Sequence, residues 1–137
     1  MAVIVDASVA FKWFLPEEQQ EQALALLDTD EALYAPDLIL AEVSNAMWVR
    51  LRGITGDHRP AVSAAASALP RMLTALMPVA DLLPRAIELA FELTHPVYDC
   101  VYLALAEQEK AALVTADRRL IEAAVSGGYA SYVEALA

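Results

Sequence analysis

Asp6, Glu42, Asp99 and Asp117 are the four acids whose surroundings in the sequence invite a chemical reading. Asp6 closes the apolar run Ala2-Val3-Ile4-Val5, and Asp117 follows Leu113-Val114-Thr115-Ala116. Glu42 lies among Leu38, Ile39, Ala46 and Val49 at helical spacing, with Asn45 as the one polar neighbour on that face. Asp99 sits at the start of a helical stretch, with Tyr102, Leu103 and Ala106 on its side. Singly, each acid has a plain structural reading: Asp6 and Asp117 as helix caps, Asp99 as a first-turn acid facing the helix dipole, Glu42 as a rim residue reaching water. Glu42 resists this most, because a lone carboxylate on an apolar face is costly unless paired or metal-bound. Together, four carboxylates converging on one point need a cation to be stable. Oxygen donors without a cysteine or histidine cluster select a hard ion, Mg²⁺ or Mn²⁺. Such a site suits phosphodiester hydrolysis by a metal-activated water.

The elements that must position these acids alternate between strand and helix. The run Ala2–Val5, mostly β-branched and without alternation, predicts a strand buried on both faces. Ser8 is expected to cap a short helix through Phe14, stopped by Pro16, and Glu17 and Glu18 to open a second helix running to Leu27. Ala32–Ala35 reads as a strand, and Pro36 as the first residue of a helix ending near Leu51. Asp57 is expected to cap an alanine-rich helix that Pro70 kinks or ends, before a weak strand over Ala75–Val79. Asp81 caps a helix to Leu93, another covers Val97–Lys110, and Ala112–Thr115 is a strand. A last helix runs from Arg118 to Val125, and Tyr129–Val133 is the final strand. Strands alternating with helices imply one α/β domain over residues 1–137, built on a parallel sheet whose ligands bind beyond the carboxyl ends of the strands. The two strand-end acids, Asp6 and Asp117, would share that edge.

Composition narrows the class. Hydrophobic residues make up 58% of the chain, yet no uncharged run approaches the length of a membrane span. The apolar excess points to a surface for self-association or a partner. A single cysteine, Cys100, rules out an internal disulfide and suits a cytoplasmic setting; it reads as a small buried hydrophobe. The net charge of −10 counts against a large electrostatic footprint on DNA. It does not exclude an enzyme that touches few phosphates. Basic residues are scarce, and the candidates for phosphate contact are few: Lys12, Arg50, Arg52, Arg118 and Arg119. Four glycines leave no room for a P-loop or a dinucleotide fingerprint, and His58 and His95 read as turn residues.

Val5-Asp6-Ala7-Ser8, Ala41-Glu42-Val43-Ser44-Asn45-Ala46, Pro96 to Ala106 around Asp99, and Leu113-Val114-Thr115-Ala116-Asp117 resemble the four acidic motifs of PIN-domain ribonucleases. Their order and the chain length are most similar to the VapC toxins of VapBC toxin–antitoxin pairs. The resemblance implies a three-layer α/β/α domain with a parallel sheet of about five strands in the order 3-2-1-4-5. It implies an Mg²⁺-dependent endoribonuclease, with Mn²⁺ as a possible substitute, acting on structured RNA such as tRNA. By this resemblance Asp6, Glu42, Asp99 and Asp117 are the catalytic, metal-binding acids, and Ser8, Asn45 and Thr115 are their polar companions. It also implies a homodimer and inhibition by a cognate VapB-like antitoxin. The helix from Pro36, apolar nearly all round until Arg50, needs a second surface to pack on, which a second copy or the antitoxin would supply.

Three other readings fit less well. A haloacid-dehalogenase-like phosphatase needs an aspartate two residues after the first, where this chain has Ser8. A receiver domain needs an acidic pair near the first strand. A catalytically silent interaction module, its acids serving as caps, leaves Glu42 unexplained.

Overall fold

The computed structural model describes residues 1–137. Five parallel strands form one sheet in the order β3-β2-β1-β4-β5: β1 (Ala2–Val5), β2 (Ala32–Pro36), β3 (Ala75–Met77), β4 (Ala112–Thr115) and β5 (Val133–Ala135). The predicted order is therefore the observed one. Seven α-helices accompany the strands: α1 (Ala7–Ala10), α2 (Gln20–Ala25), α3 (Leu38–Leu51), α4 (Arg59–Met72), α5 (Val79–Leu93), α6 (Val97–Glu109) and α7 (Arg118–Ser126).

β1 is the central strand, pairing Ile4 with Tyr34 on one side and Val5 with Val114 on the other. The ladder continues one residue past the strand, where Asp6 N–H donates to Val114 C=O at 3.1 Å. That bond fixes the Asp6 backbone against the end of β4. Ile4, Val5 and Leu113 are fully or almost fully buried, as a strand covered on both faces requires. The residues from Cys100 to Ala106 are all buried, so α6 is a core helix, packed on α5 and on the sheet. No helix is long and apolar enough to cross a membrane.

Several boundaries differ from those read in the sequence, each for a local reason. Ser8 does not cap α1. Asp6 holds the N-cap position with extended backbone, and the Ser8 hydroxyl turns back onto the Asp6 carboxylate. The segment from Glu17 is not yet helical; Gln19 is left-handed at φ 64°, and α2 starts after it. Pro36 ends β2 rather than opening α3, because its missing N–H costs nothing at a strand end. Asp37 takes the N-cap place and ties three elements together, its N–H donating to Met77 C=O at 2.8 Å and its Oδ1 accepting from Val79 N–H at 3.0 Å. Helix α4 runs two residues past Pro70, and α5 starts at Val79, so Asp81 is a first-turn acid and not its cap. The last strand begins at Val133, since Ala130–Tyr132 forms a single 3₁₀ turn.

Candidate active site

At the carboxyl edge of the sheet, a cleft of about 250 Å³ is lined by Asp6, Glu42, Asp99 and Asp117 together with Ala7, Ser8, Phe11 and Ala46. The chain delivers each acid by a different route. Asp6 leaves β1, and Asp117 leaves the neighbouring β4. Glu42 projects from the second turn of α3, and Asp99 from the first turn of α6.

Asp6 is the deepest, 5% exposed. Ser8 Oγ donates to its Oδ2 at 2.5 Å and Thr115 Oγ1 donates to the same oxygen at 2.8 Å. Those hydroxyls are oriented in turn by backbone N–H groups: Ala116 N–H donates to Ser8 Oγ, and Asp117 N–H to Thr115 Oγ1, both at 3.0 Å. The loop after β4 thus sets the Asp6 carboxylate through two hydroxyl relays. Glu42 Oε1 accepts from the Tyr102 hydroxyl at 2.6 Å. Asp99 Oδ2 is hydrogen-bonded to His95 Nε2 at 2.7 Å. Asp117 Oδ1 accepts from Arg119 N–H at 2.9 Å and Leu120 N–H at 3.4 Å, so this residue caps α7 while it lines the cleft.

A common pattern joins the four. In each carboxylate, one oxygen is held by a protein donor and the other has none. None of the free oxygens is sealed in the interior without a partner. Burial pushes the Asp6 carboxyl above its usual range, and the Asp99 charge adds to this against the hydrogen bonds from Ser8 and Thr115. Burial likewise lifts Glu42 to about 7, reinforced by Asp6 and Asp99 and opposed by Tyr102. Asp99 is raised by burial and by the charge of Asp117, while His95 opposes the shift.

The four acids do not converge on a single point as expected, and no three His, Cys, Asp or Glu side chains are grouped tightly enough to form a ready-made cage. Their tethers to different elements hold them around the cleft instead. The donor set nonetheless fits a hard cation: all-oxygen, mutually repelling, with one undonated oxygen per acid. Holding such an ion would fall to Asp6, Glu42, Asp99 and Asp117.

Of the polar companions, Ser8 and Thr115 both reach Asp6, but Asn45 does not join the site. It is exposed and hydrogen-bonds to none of the four acids, because the side of α3 that meets the cleft carries Ala46. His95 and Tyr102, as partners of Asp99 and Glu42, have little signature in the sequence. An i, i+4 spacing links His95 to Asp99, but Pro96 between them masks the helical relation. The Tyr102 contact crosses from one helix to another and leaves no local signal.

The basic candidates are also redistributed. Lys12 is buried with Nζ donating to Glu18 C=O at 2.7 Å, and Arg50 is paired with Glu17. Arg52 lies over the Trp48 ring, 5.0 Å from its centroid. Arg118 and Arg119 are exposed beside Asp117. Cys100 is buried as expected, and burial lifts its thiol to about 11.

The raised acids give a first prediction. A carboxyl whose folded pKa exceeds its unfolded value binds more protons when folded, so stability falls as pH rises between the two values. For Glu42 that window runs from 4.5 to about 7, and Asp6 and Asp99 act in the same direction. Metal-free protein should therefore melt higher at about pH 5.5 than at about pH 8, and saturating Mg²⁺ or Mn²⁺ should remove most of the difference. Melting curves in chelated buffer check this.

Comparison with known proteins fits the same frame. The PIN domain family model matches residues 3–126. The chain is 34% identical over 125 residues to Ribonuclease VapC3 of Pyrobaculum aerophilum, covering 89% of this chain and 94% of that protein. It is 34% identical over 121 residues to Ribonuclease VapC9 of Mycobacterium tuberculosis, covering 86% and 87%. The crystal structure of PAE2754 from Pyrobaculum aerophilum superposes with a TM-score of 0.65 at 21% identity, covering 90% of this chain and 79% of that one, and shows the shared fold. The chain belongs to the PIN-domain family, as a VapC-like member.

Proposed function

We propose that this protein is a divalent-metal-dependent endoribonuclease, the toxin of a toxin–antitoxin pair, with residues 1–137 acting as one PIN domain. The carrying observation is the cleft of four carboxylates, each with one oxygen tethered and one free. Relatives that span most of both chains bear the name ribonuclease. A bound Mg²⁺ or Mn²⁺ would supply a nucleophilic water and offset the charge that develops on the phosphodiester. The chain's own part is positional. Ser8 and Thr115 orient Asp6, Tyr102 orients Glu42, and His95 orients Asp99, so that the free oxygens stay in the cleft. Asp6, Glu42, Asp99 and Asp117 are the catalytic and metal-binding residues of this reading. Ser8 and Thr115 support them.

Structured RNA such as tRNA is the proposed substrate, and the cytoplasm the proposed compartment. The strongly acidic chain favours a substrate grasped at few phosphates over one held along a long basic track. Exposed Arg118 and Arg119, beside Asp117 at the start of α7, are the candidates for such a contact. The proposed partners are a second copy of the chain and a VapB-like antitoxin. Large apolar side chains remain uncovered for them, Trp48 and Val49 on α3 and Ile87 and Phe91 on α5.

The experiment is incubation of purified protein with a tRNA mixture and with an unstructured RNA, each with Mg²⁺. The expected result is discrete tRNA fragments with linear phosphate ends, 5′ or 3′, as attack by water gives when the neighbouring 2′-hydroxyl takes no part. Products ending in 2′,3′-cyclic phosphate, or no cleavage of either RNA, would count against the reading.

A further inference from the structure

Tyr102 carries a phenolic hydroxyl into the core. Its side chain is fully buried in the core helix α6, 0% exposed. Burying a phenolic hydroxyl is unfavourable unless it finds a partner. This one has a single partner, Glu42 Oε1 at 2.6 Å on a different helix. That distance is typical of a hydroxyl donating to a carboxylate, the stronger class of hydrogen bond. Glu42 lines the cleft, and its remaining oxygen has no protein donor. Tyr102 itself does not line the cleft.

We propose that Tyr102 is a positioning residue for the proposed reaction: its buried hydroxyl holds Glu42 from behind, aiming the free oxygen at the cation the cleft would bind. The observations behind it are the sole pairing of the two groups, and that Glu42 lines the cleft while Tyr102 does not. The rigid core helix supplies the fixed end, and α3 supplies the carboxylate that must be held. Without the hydroxyl, Glu42 keeps its place in the chain but loses its only tether, and the free oxygen is no longer fixed in direction.

This role rests on the cation-dependent cleavage proposed above, and the test separates the two. Mn²⁺ is titrated into metal-free full-length protein by calorimetry, for wild type, Tyr102→Phe, Glu42→Gln and the double variant, alongside kcat and KM for RNA. Tyr102→Phe should weaken Mn²⁺ binding about tenfold, the scale of one hydrogen bond to a charged group, and lower kcat with little change in KM. In the Glu42→Gln background the same change should have almost no further effect on Mn²⁺ affinity, since the tether then has no carboxylate to aim. If Tyr102→Phe alters only the melting temperature and leaves Mn²⁺ affinity and kcat at wild-type values, the hydroxyl is merely a satisfied core group and the role is overturned. Equal losses in the wild-type and Glu42→Gln backgrounds overturn it too, by showing that Tyr102 acts elsewhere. Wild-type protein that binds no Mn²⁺ overturns the cation reading itself, and this role with it.

Discussion

Asp6→Asn is expected to reduce RNA cleavage by well over about a hundredfold, more than the loss of a group that merely supports a metal ligand. The substitution keeps the volume of the side chain and an oxygen that can still accept from Ser8 Oγ and Thr115 Oγ1. It removes the charge and replaces the other oxygen with an NH₂ group that cannot bind a cation. Asp6 is almost fully buried, and burial together with the Asp99 charge already disfavours its ionised form. Metal-free Asp6→Asn should accordingly melt no lower than wild type at about pH 8, because the unfavourable buried charge is gone. Activity and stability should thus move in opposite directions, which is the signature of a residue kept for function at some cost to the fold. Single-turnover cleavage and a melting curve on the same preparation are sufficient. Cleavage within a few-fold of wild type would remove Asp6 from the catalytic group.

The same expectation does not extend to all four acids. Removing any one of a repelling cluster would be expected from the sequence to stabilise metal-free protein. Asp117 is an exception once its bonds to Arg119 N–H and Leu120 N–H are seen. Its replacement by alanine should cost about 1 kcal/mol, the usual value of an N-cap. Both readings of Asp117, cap and cleft acid, describe the same side chain.

The second large effect concerns the cation. Exhaustive chelation should abolish cleavage, and Mg²⁺ or Mn²⁺ should restore it. The same addition should raise the melting temperature, because an ion that binds only the folded form stabilises it by mass action. The structural ground is electrostatic. Asp6, Glu42 and Asp99 are each raised by burial and by a neighbouring acid of the same cleft, and the chain offers them hydrogen-bond donors but no lysine or arginine. Ca²⁺ is the informative control: it should restore part of the stability but little of the cleavage, as it is larger and accepts looser geometry than Mg²⁺. Full activity in metal-free buffer would leave the acids without the role assigned to them.

Much of this was legible in the sequence because it is local. The buried run Ala2–Val5 and the run Ala112–Thr115 have the composition of strands covered on both sides, and each leads to an acid at the same sheet edge. Glu42 stood out because helical spacing surrounds it with apolar residues. What was not legible depends on contacts between elements. Pro36 and Ser8 have two good local uses each, and only the sheet register and the Asp6 carboxylate decide which is taken. Asn45 and Ala46 are adjacent on α3, and the packing of that helix decides that Ala46 faces the cleft. The donors from His95 and Tyr102 come from a turn and a core helix whose approach to the acids is fixed only by the tertiary fold.

The central claim is that Asp6, Glu42, Asp99 and Asp117 together hold a divalent cation. Titration of substoichiometric Mn²⁺ into isotope-labelled, metal-free protein tests it most directly, because the paramagnetic ion broadens nearby amide signals. The earliest signals lost should be those around residues 6–8, 42, 99 and 117, and Asp99→Asn should greatly reduce the loss. Broadening centred on other acids, such as Asp28, Asp30 and Glu31, with the cleft unaffected, would contradict it.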